Sequence, residues 1–193
     1  MGAIFQSLGR TVLAGVVLLL LLIVLAGNAP MGSHAWATFF MRWLHVLCGV
    51  MWIGLLWYFN FVQIPSMPKI PDEQKPAVSK VIAPTALFWF RWSALATVVT
   101  GLLLATMSGY IAAALGLQKP FTAIGIGMWL ALVMAFNVWF IIWPNQKKAL
   151  GIVTVEPAEK AKAARLAMLT SRANTMLSIP MLFCMVAQQN GGL

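Results

Sequence analysis

Charge is what this sequence has least of. Only 9% of its 193 residues are charged, where soluble domains carry roughly 25%. Four residues are acidic, and Asp72, Glu73, Glu156 and Glu159 all lie in polar connectors. No carboxylate therefore sits in an apolar run. That excludes paired-carboxylate catalysis and argues against a carboxylate-based proton pump or cation carrier. No broken helix pair is visible, which leaves a transporter without support. Cysteine is also scarce. Cys48 and Cys184 fall inside apolar runs and read as reduced and buried, and the absence of CxxCH excludes covalent c-type haem. Histidine is limited to His34 and His45. The net charge of +9 is no nucleic-acid footprint, because the basic residues sit in loops and at helix ends. There they read as membrane anchors and topology signals.

What fills the chain is apolar: 61% hydrophobic residues and a mean hydropathy of +0.87. This composition predicts an all-α integral membrane helical bundle whose main partner is the lipid bilayer. Four core transmembrane helices are expected at residues 36–61, 85–108, 122–143 and 166–188. They follow an N-terminal transmembrane or signal-anchor helix within residues 1–29. That first run, 11–27, is short for a span, since about 20 residues cross a bilayer. It also resembles a cleavable signal, with small residues at Gly27 and Ala29. Residues 30–193 form the bundle.

The connectors are read from proline and charge. Pro65, Pro68 and Pro71 are dense enough to forbid a continuous helix over 64–73. Residues 75–83 are expected as a short interfacial helix. Glu156 and Glu159 suit the start of a helix that continues into the last span and projects beyond the bilayer. Pro180 is expected to kink it. Arg10, Lys69, Lys75, Lys80, Lys147, Lys148, Lys160, Lys162 and Arg165 all fall on one side, and Lys119 on the other. The expectation is a multi-pass protein of the bacterial cytoplasmic (inner) membrane with its N-terminus cytoplasmic.

The stretch 44–60 carries the chemistry. An ionisable group at membrane depth points to function, and here it is His45. On a helix His45, Gly49 and Trp52 share one face, at i, i+4 and i+7. Gly49 leaves room for something flat beside the backbone. One reading is a porphyrin with His45 as axial ligand. Tyr58 and Trp52 would then pack along it, and Arg42, one turn before His45, would meet a propionate. The other reading is a helix crossing, with Gly49 and Gly54 allowing close approach and His45 hydrogen-bonded to a neighbouring helix. His34 is too far along the same helix, about 16 Å, to share an iron with His45. Met128, Met134, Met176 and Met181 are candidates for a second ligand, though most methionines serve packing. Arg91 and Arg172 read as snorkelling residues or as a second anionic contact. Asn137 and Asn174 read as interhelical hydrogen-bonders.

These residues resemble the membrane domain of the membrane-bound urate oxidases, a family that joins a multi-span domain to a C-terminal cytochrome c. The likeness is carried by four blocks in order. They are Leu44-His45-Val46 with Gly49, Trp52-Ile53-Gly54 and Tyr58-Phe59; Phe90-Arg91-Trp92-Ser93-Ala94 with Thr100-Gly101-Leu102; Asn137-Val138-Trp139-Phe140 with Pro144-Asn145-Gln146-Lys147-Lys148; and Asn174 with Leu177-Ser178-Ile179-Pro180-Met181-Leu182-Phe183. The chain departs from the family pattern at Ser93, where the family carries an acidic residue, and at Ala173 and Gln189, where it carries histidines. The central helix also resembles, over a shorter length, the histidine helix of the membrane protoporphyrinogen oxidase of haem synthesis.

The resemblance implies a short form of the urate oxidase membrane domain, without the cytochrome c. We expect a membrane subunit that binds b-type haem at His45, Gly49, Trp52, Tyr58 and Arg42. It would exchange electrons with a separate cytochrome, a quinone or other membrane subunits. With the acidic residue and both histidines replaced, urate oxidation itself is not expected. The alternative is a cofactor-free structural or assembly subunit packed against a larger respiratory or photosynthetic membrane complex.

Overall fold

The apolar runs fold as helices, and among the described residues there is no strand. The computed structural model describes residues 2–27 and 30–192. Ala29, half of the proposed cleavage site, lies outside them. After a helical turn at Gly2–Phe5 come α1 (Leu8–Ala26), α2 (His34–Lys69), α3 (Lys75–Met107), the short α4 (Ile111–Leu115), α5 (Thr122–Ala149) and α6 (Pro157–Asn190). The chain divides into two compact units, Met1–Ala37 and Thr38–Leu193. By length and composition α1, α2, α3 and α5 are each able to cross a membrane. The remaining long helix, α6, is not among those four, because Arg172, Asn174 and Gln188 dilute its apolar half. None of the residues of α1 is buried.

Three of these helices outrun the ends expected from proline. The second runs on to Lys69, through Pro65 and Pro68. The third takes in residues 75–83 instead of leaving them as a separate piece, and the fourth long helix passes Pro144 to reach Ala149. The reason lies in the backbone just before each proline. Tyr58–Gln63, Val78–Ile82 and Asn137–Ile142 are π-helical turns. Ile64, Ala83 and Trp143, each directly before a proline, donate their N–H groups five residues back, to Phe59, Val78 and Val138. A proline in a regular helix collides with the carbonyl four residues earlier. The wider turn relieves that collision, so the helix continues.

The core of the second unit is shared by α2, α3, α5 and α6. Trp52, Leu56, Phe59, Phe90, Met134, Val138, Ile142 and Met181 form one buried cluster. Phe59 meets Phe90 edge-on at 5.6 Å. A smaller cluster, Ala105, Ala114, Ile124 and Met128, seats α4 against α3 and α5. Close approach is secured by glycines other than those expected. A Cβ on Gly49 would meet only Thr97 Cγ2, at 3.9 Å, and one on Gly54 would meet nothing within 4 Å. At Gly127 it would lie 3.2 Å from Cys184 Cβ, so the crossing of α5 and α6 depends on that position.

Polar side chains fasten one end of the unit. Asn137 donates to Asn174 Oδ1 at 2.8 Å, and Asn174 donates to the Met134 carbonyl at 2.9 Å. Both asparagines bridge helices, as read from the sequence. Asn60 donates to Ser171 Oγ at 2.8 Å and Trp57 to Ser178 Oγ at 3.0 Å, which ties α2 to α6. Arg91 does not snorkel. It is only 8% exposed, and its guanidinium lies 3.3 Å from the centre of the Trp143 ring. Arg172 is exposed. At the connector, Lys148 pairs with Glu159 at 2.6 Å in the first turn of α6.

Candidate functional site

Beyond that fastened end, α2 and α6 enclose a cavity of about 630 Å³ with α3 and α5 behind them. α2 contributes Arg42, His45, Gly49, Trp52 and Ile53. α3 contributes Thr97 and Gly101, α5 contributes Met128, and α6 contributes Met181, Met185 and Gln189. Tyr110, from the connector before α4, lines it too. The helical spacing therefore does bring Arg42, His45, Gly49 and Trp52 to one cavity wall. Tyr58 is not in that wall. Thirteen residues past His45, it stands at the start of the π-turn, packs on the buried core and lies 5.6 Å from the Phe59 ring. It drops out of the candidate site.

His45 is held by α3. Its Nδ1 lies 2.9 Å from the Thr97 carbonyl oxygen and 3.3 Å from Thr100 Oγ1. A carbonyl only accepts, so Nδ1 carries the proton and donates. Thr100 gives its own hydroxyl hydrogen to the Ala96 carbonyl at 2.6 Å, so it too accepts from Nδ1. The helix-crossing reading of His45 thus describes Nδ1. It does not exhaust the ring. In the neutral imidazole Nε2 is left with a lone pair, and it makes no hydrogen bond among the described residues. A backbone carbonyl on one nitrogen is also the usual way a ligating histidine is oriented.

Gly101 is the residue that the reading of the central helix missed. A Cβ there would lie 2.8 Å from His45 Cε1 and 3.1 Å from Nδ1. Only glycine lets the imidazole lie against α3. The signal was present in Thr97-x-x-Thr100-Gly101, two hydroxyl residues and a glycine at helical spacing, but nothing in the sequence pairs that segment with His45.

The rest of the wall is apolar with a few polar points. Trp52 is fully buried, and its indole N–H has no acceptor. Arg42 Nε is buried without a partner. Burial pushes the Tyr110 phenol up, and the charge of Arg42 opposes that shift. Tyr110 also stacks on Phe121 at 5.2 Å. Of the methionines considered as ligands, Met128 and Met181 line the cavity, Met134 is buried in the core and Met176 is exposed. Among the described residues, no three His, Cys, Asp or Glu side chains form a metal-holding group. At the three family positions, Ser93 turns its hydroxyl onto the Trp89 carbonyl at 2.6 Å, Ala173 is exposed, and Gln189 lines the cavity.

The class is thus an all-α bundle of membrane-compatible helices around a histidine-bearing cavity. Residues 117–191 match the family model described as urate oxidase N-terminal, so this part of the chain is similar to that family. The match takes in α5 and α6, and so Met128, Met181, Met185 and Gln189 of the cavity wall. No curated protein and no solved structure matches the chain.

Proposed function

We propose that the protein is a multi-pass membrane subunit that holds b-type haem in the cavity beside His45 and takes part in electron transfer. Its partners would be a separate cytochrome or other membrane subunits. The observation that carries this is the Nδ1–Thr97 bond, which orients the imidazole and leaves Nε2 as the free nitrogen at a 630 Å³ apolar cavity. The donor set fits the group: an imidazole, cavity-lining thioethers at Met128 and Met181, and a buried arginine nitrogen lacking an acceptor. Axial ligands of the imidazole and thioether kinds are those haem iron takes.

Each residue then has a role. His45 would hold the iron, and Thr97 would fix its tautomer and raise its basicity. Arg42 would neutralise a propionate through its unpaired Nε. Trp52 and Ile53 would exclude water from one wall, and Gly49 would keep that wall flat. Haem bound there supplies one-electron chemistry, tuned by its axial ligands and by burial. Ser93, Ala173 and Gln189 stand where the family pattern has an acidic residue and two histidines, and urate oxidation is therefore left out of this reading. The basic connectors support an inner-membrane orientation with the N-terminus cytoplasmic.

The test is a reduced-minus-oxidised spectrum of the detergent-purified protein with a pyridine haemochrome assay. A stoichiometric b-type signal that disappears in His45→Ala is the expected result. A colourless, folded protein would instead favour a cofactor-free structural or assembly subunit. The observation behind that second reading is the same Nδ1 bond, which by itself joins α2 to α3.

A further inference from the structure

The cavity is open on the side where α2 faces α6. Trp57–Ser178 and Asn60–Ser171 pin α2 to α6 in antiparallel register, since the later residue of α2 meets the earlier residue of α6. Between Arg42 and Leu56 no hydrogen bond joins the two helices among the described residues. From Trp57 back to Arg42 is about 22 Å of helix, and along this length the cavity lies between them. Its lining includes Val46 and Val50 from α2 and Leu182 and Val186 from α6. All four are also exposed on the outer surface, Val50 at 67% and Val186 at 62%. A residue that both lines a cavity and faces outward marks the rim of an opening. Every rim residue named is aliphatic, and none carries charge.

We infer that this cavity is filled sideways, from the hydrocarbon phase of the bilayer, through the gap between Val46–Val50 and Leu182–Val186. The inference rests on the haem reading above and adds the route and the kind of ligand that can use it. An aliphatic rim with exposed valines presents no barrier to a flat lipophilic ligand, and it offers no hydrogen bond to one arriving from water. The ligand travels apolar body first along the rim. Its acidic group comes to rest at Arg42, whose buried Nε has no other partner. Pinning the helices at Trp57 and Asn60 sets the lower limit of this side door.

The experiment uses the full chain, freed of haem and reconstituted in vesicles whose bilayer contains dissolved haemin, with the Soret band followed in time. Val50→Trp and Val186→Trp should each slow loading by about tenfold or more, since a gated approach lowers an association rate. The final amplitude is read separately from the rate, which tells slowed entry from a damaged seat. Val133→Trp, on an exposed face of α5 outside the cavity, serves as the control and should load at the wild-type rate. If both rim variants load as fast as wild type, the side door is wrong while the haem site stands. A rim variant that loses amplitude at an unchanged rate makes these valines part of the seat, and also overturns the door. If wild type itself takes up no haemin, the haem reading fails and the inference falls with it. Leu182→Trp repeats the test on the same rim should either valine variant fold poorly by size-exclusion chromatography.

Discussion

The two ends of the α2–α6 pair are built on opposite principles. At one end Asn60, Trp57, Ser171 and Ser178 link the helices directly, and Asn137 and Asn174 extend the polar seam to α5. At the other end His45 turns away from α6 and bonds to α3. One face of the cavity is therefore fixed by His45 alone, through Thr97 and Thr100 of α3, while α6 is fastened on the α5 side, where Gln188 accepts from the Ile124 N–H and donates to the Pro120 carbonyl. The difference separates two uses of polarity in an apolar environment. Where a side chain satisfies both of its partners, it holds helices together. Where one nitrogen, one indole N–H and one guanidinium nitrogen are left over, the helices stand apart and leave space for a ligand.

Breaking the fastened end should cost most. Asn174→Leu removes a fully buried bridge and strands the Asn137 amide. A loss of about 1–3 kcal/mol is expected, read as a lower thermal midpoint in detergent. Gly101→Ala attacks the open end through its hinge. The new Cβ would displace the imidazole, and haem affinity should fall by about 10–100-fold in a titration of the purified protein, with little change in the thermal midpoint of the haem-free form. Trp143→Leu removes the face beneath Arg91. Desolvated cation–π pairs are worth about 2 kcal/mol, so this variant should be destabilised without losing haem. Ser178→Ala should be mildest, since an interhelical hydrogen bond within a membrane averages about 0.6 kcal/mol. It should also accelerate haem loading if the Trp57–Ser178 bond limits the opening. An equal effect of all four on stability would erase the distinction between the two ends.

Much of this was legible in the sequence, for reasons of period. His45, Gly49 and Trp52 share a face because helical spacing is arithmetic, and Arg42 follows from the same count. Asn137 and Asn174 were legible as bridges because a primary amide at depth needs partners. What could not be read was which helix each face meets. Nothing local to His45 announces Gly101 more than 50 residues on, and nothing local to Arg91 announces Trp143. Tyr58 was misplaced against that arithmetic. Thirteen residues past His45 at about 100° each carry it to the far side of the helix, so the same count that groups His45, Gly49 and Trp52 leaves Tyr58 out. The helix ends failed for another reason: proline was read as a stop because the turn that accommodates it has no strong composition of its own.

Those three widened turns have a consequence for how this chain can change length. Each is, in effect, one residue more than a regular helix has room for. Deleting a single residue from 58–63 would restore ordinary winding and leave the helix beyond it close to its present phase. It would also set the proline at 65 against the carbonyl four positions earlier. These segments are constrained in residue count as well as at their buried and bridging side chains, Phe59, Asn60, Asn137, Val138 and Ile142. Among relatives of this protein, insertions and deletions should gather in the connectors at 70–74, 116–121 and 150–156 and spare the turns before each proline.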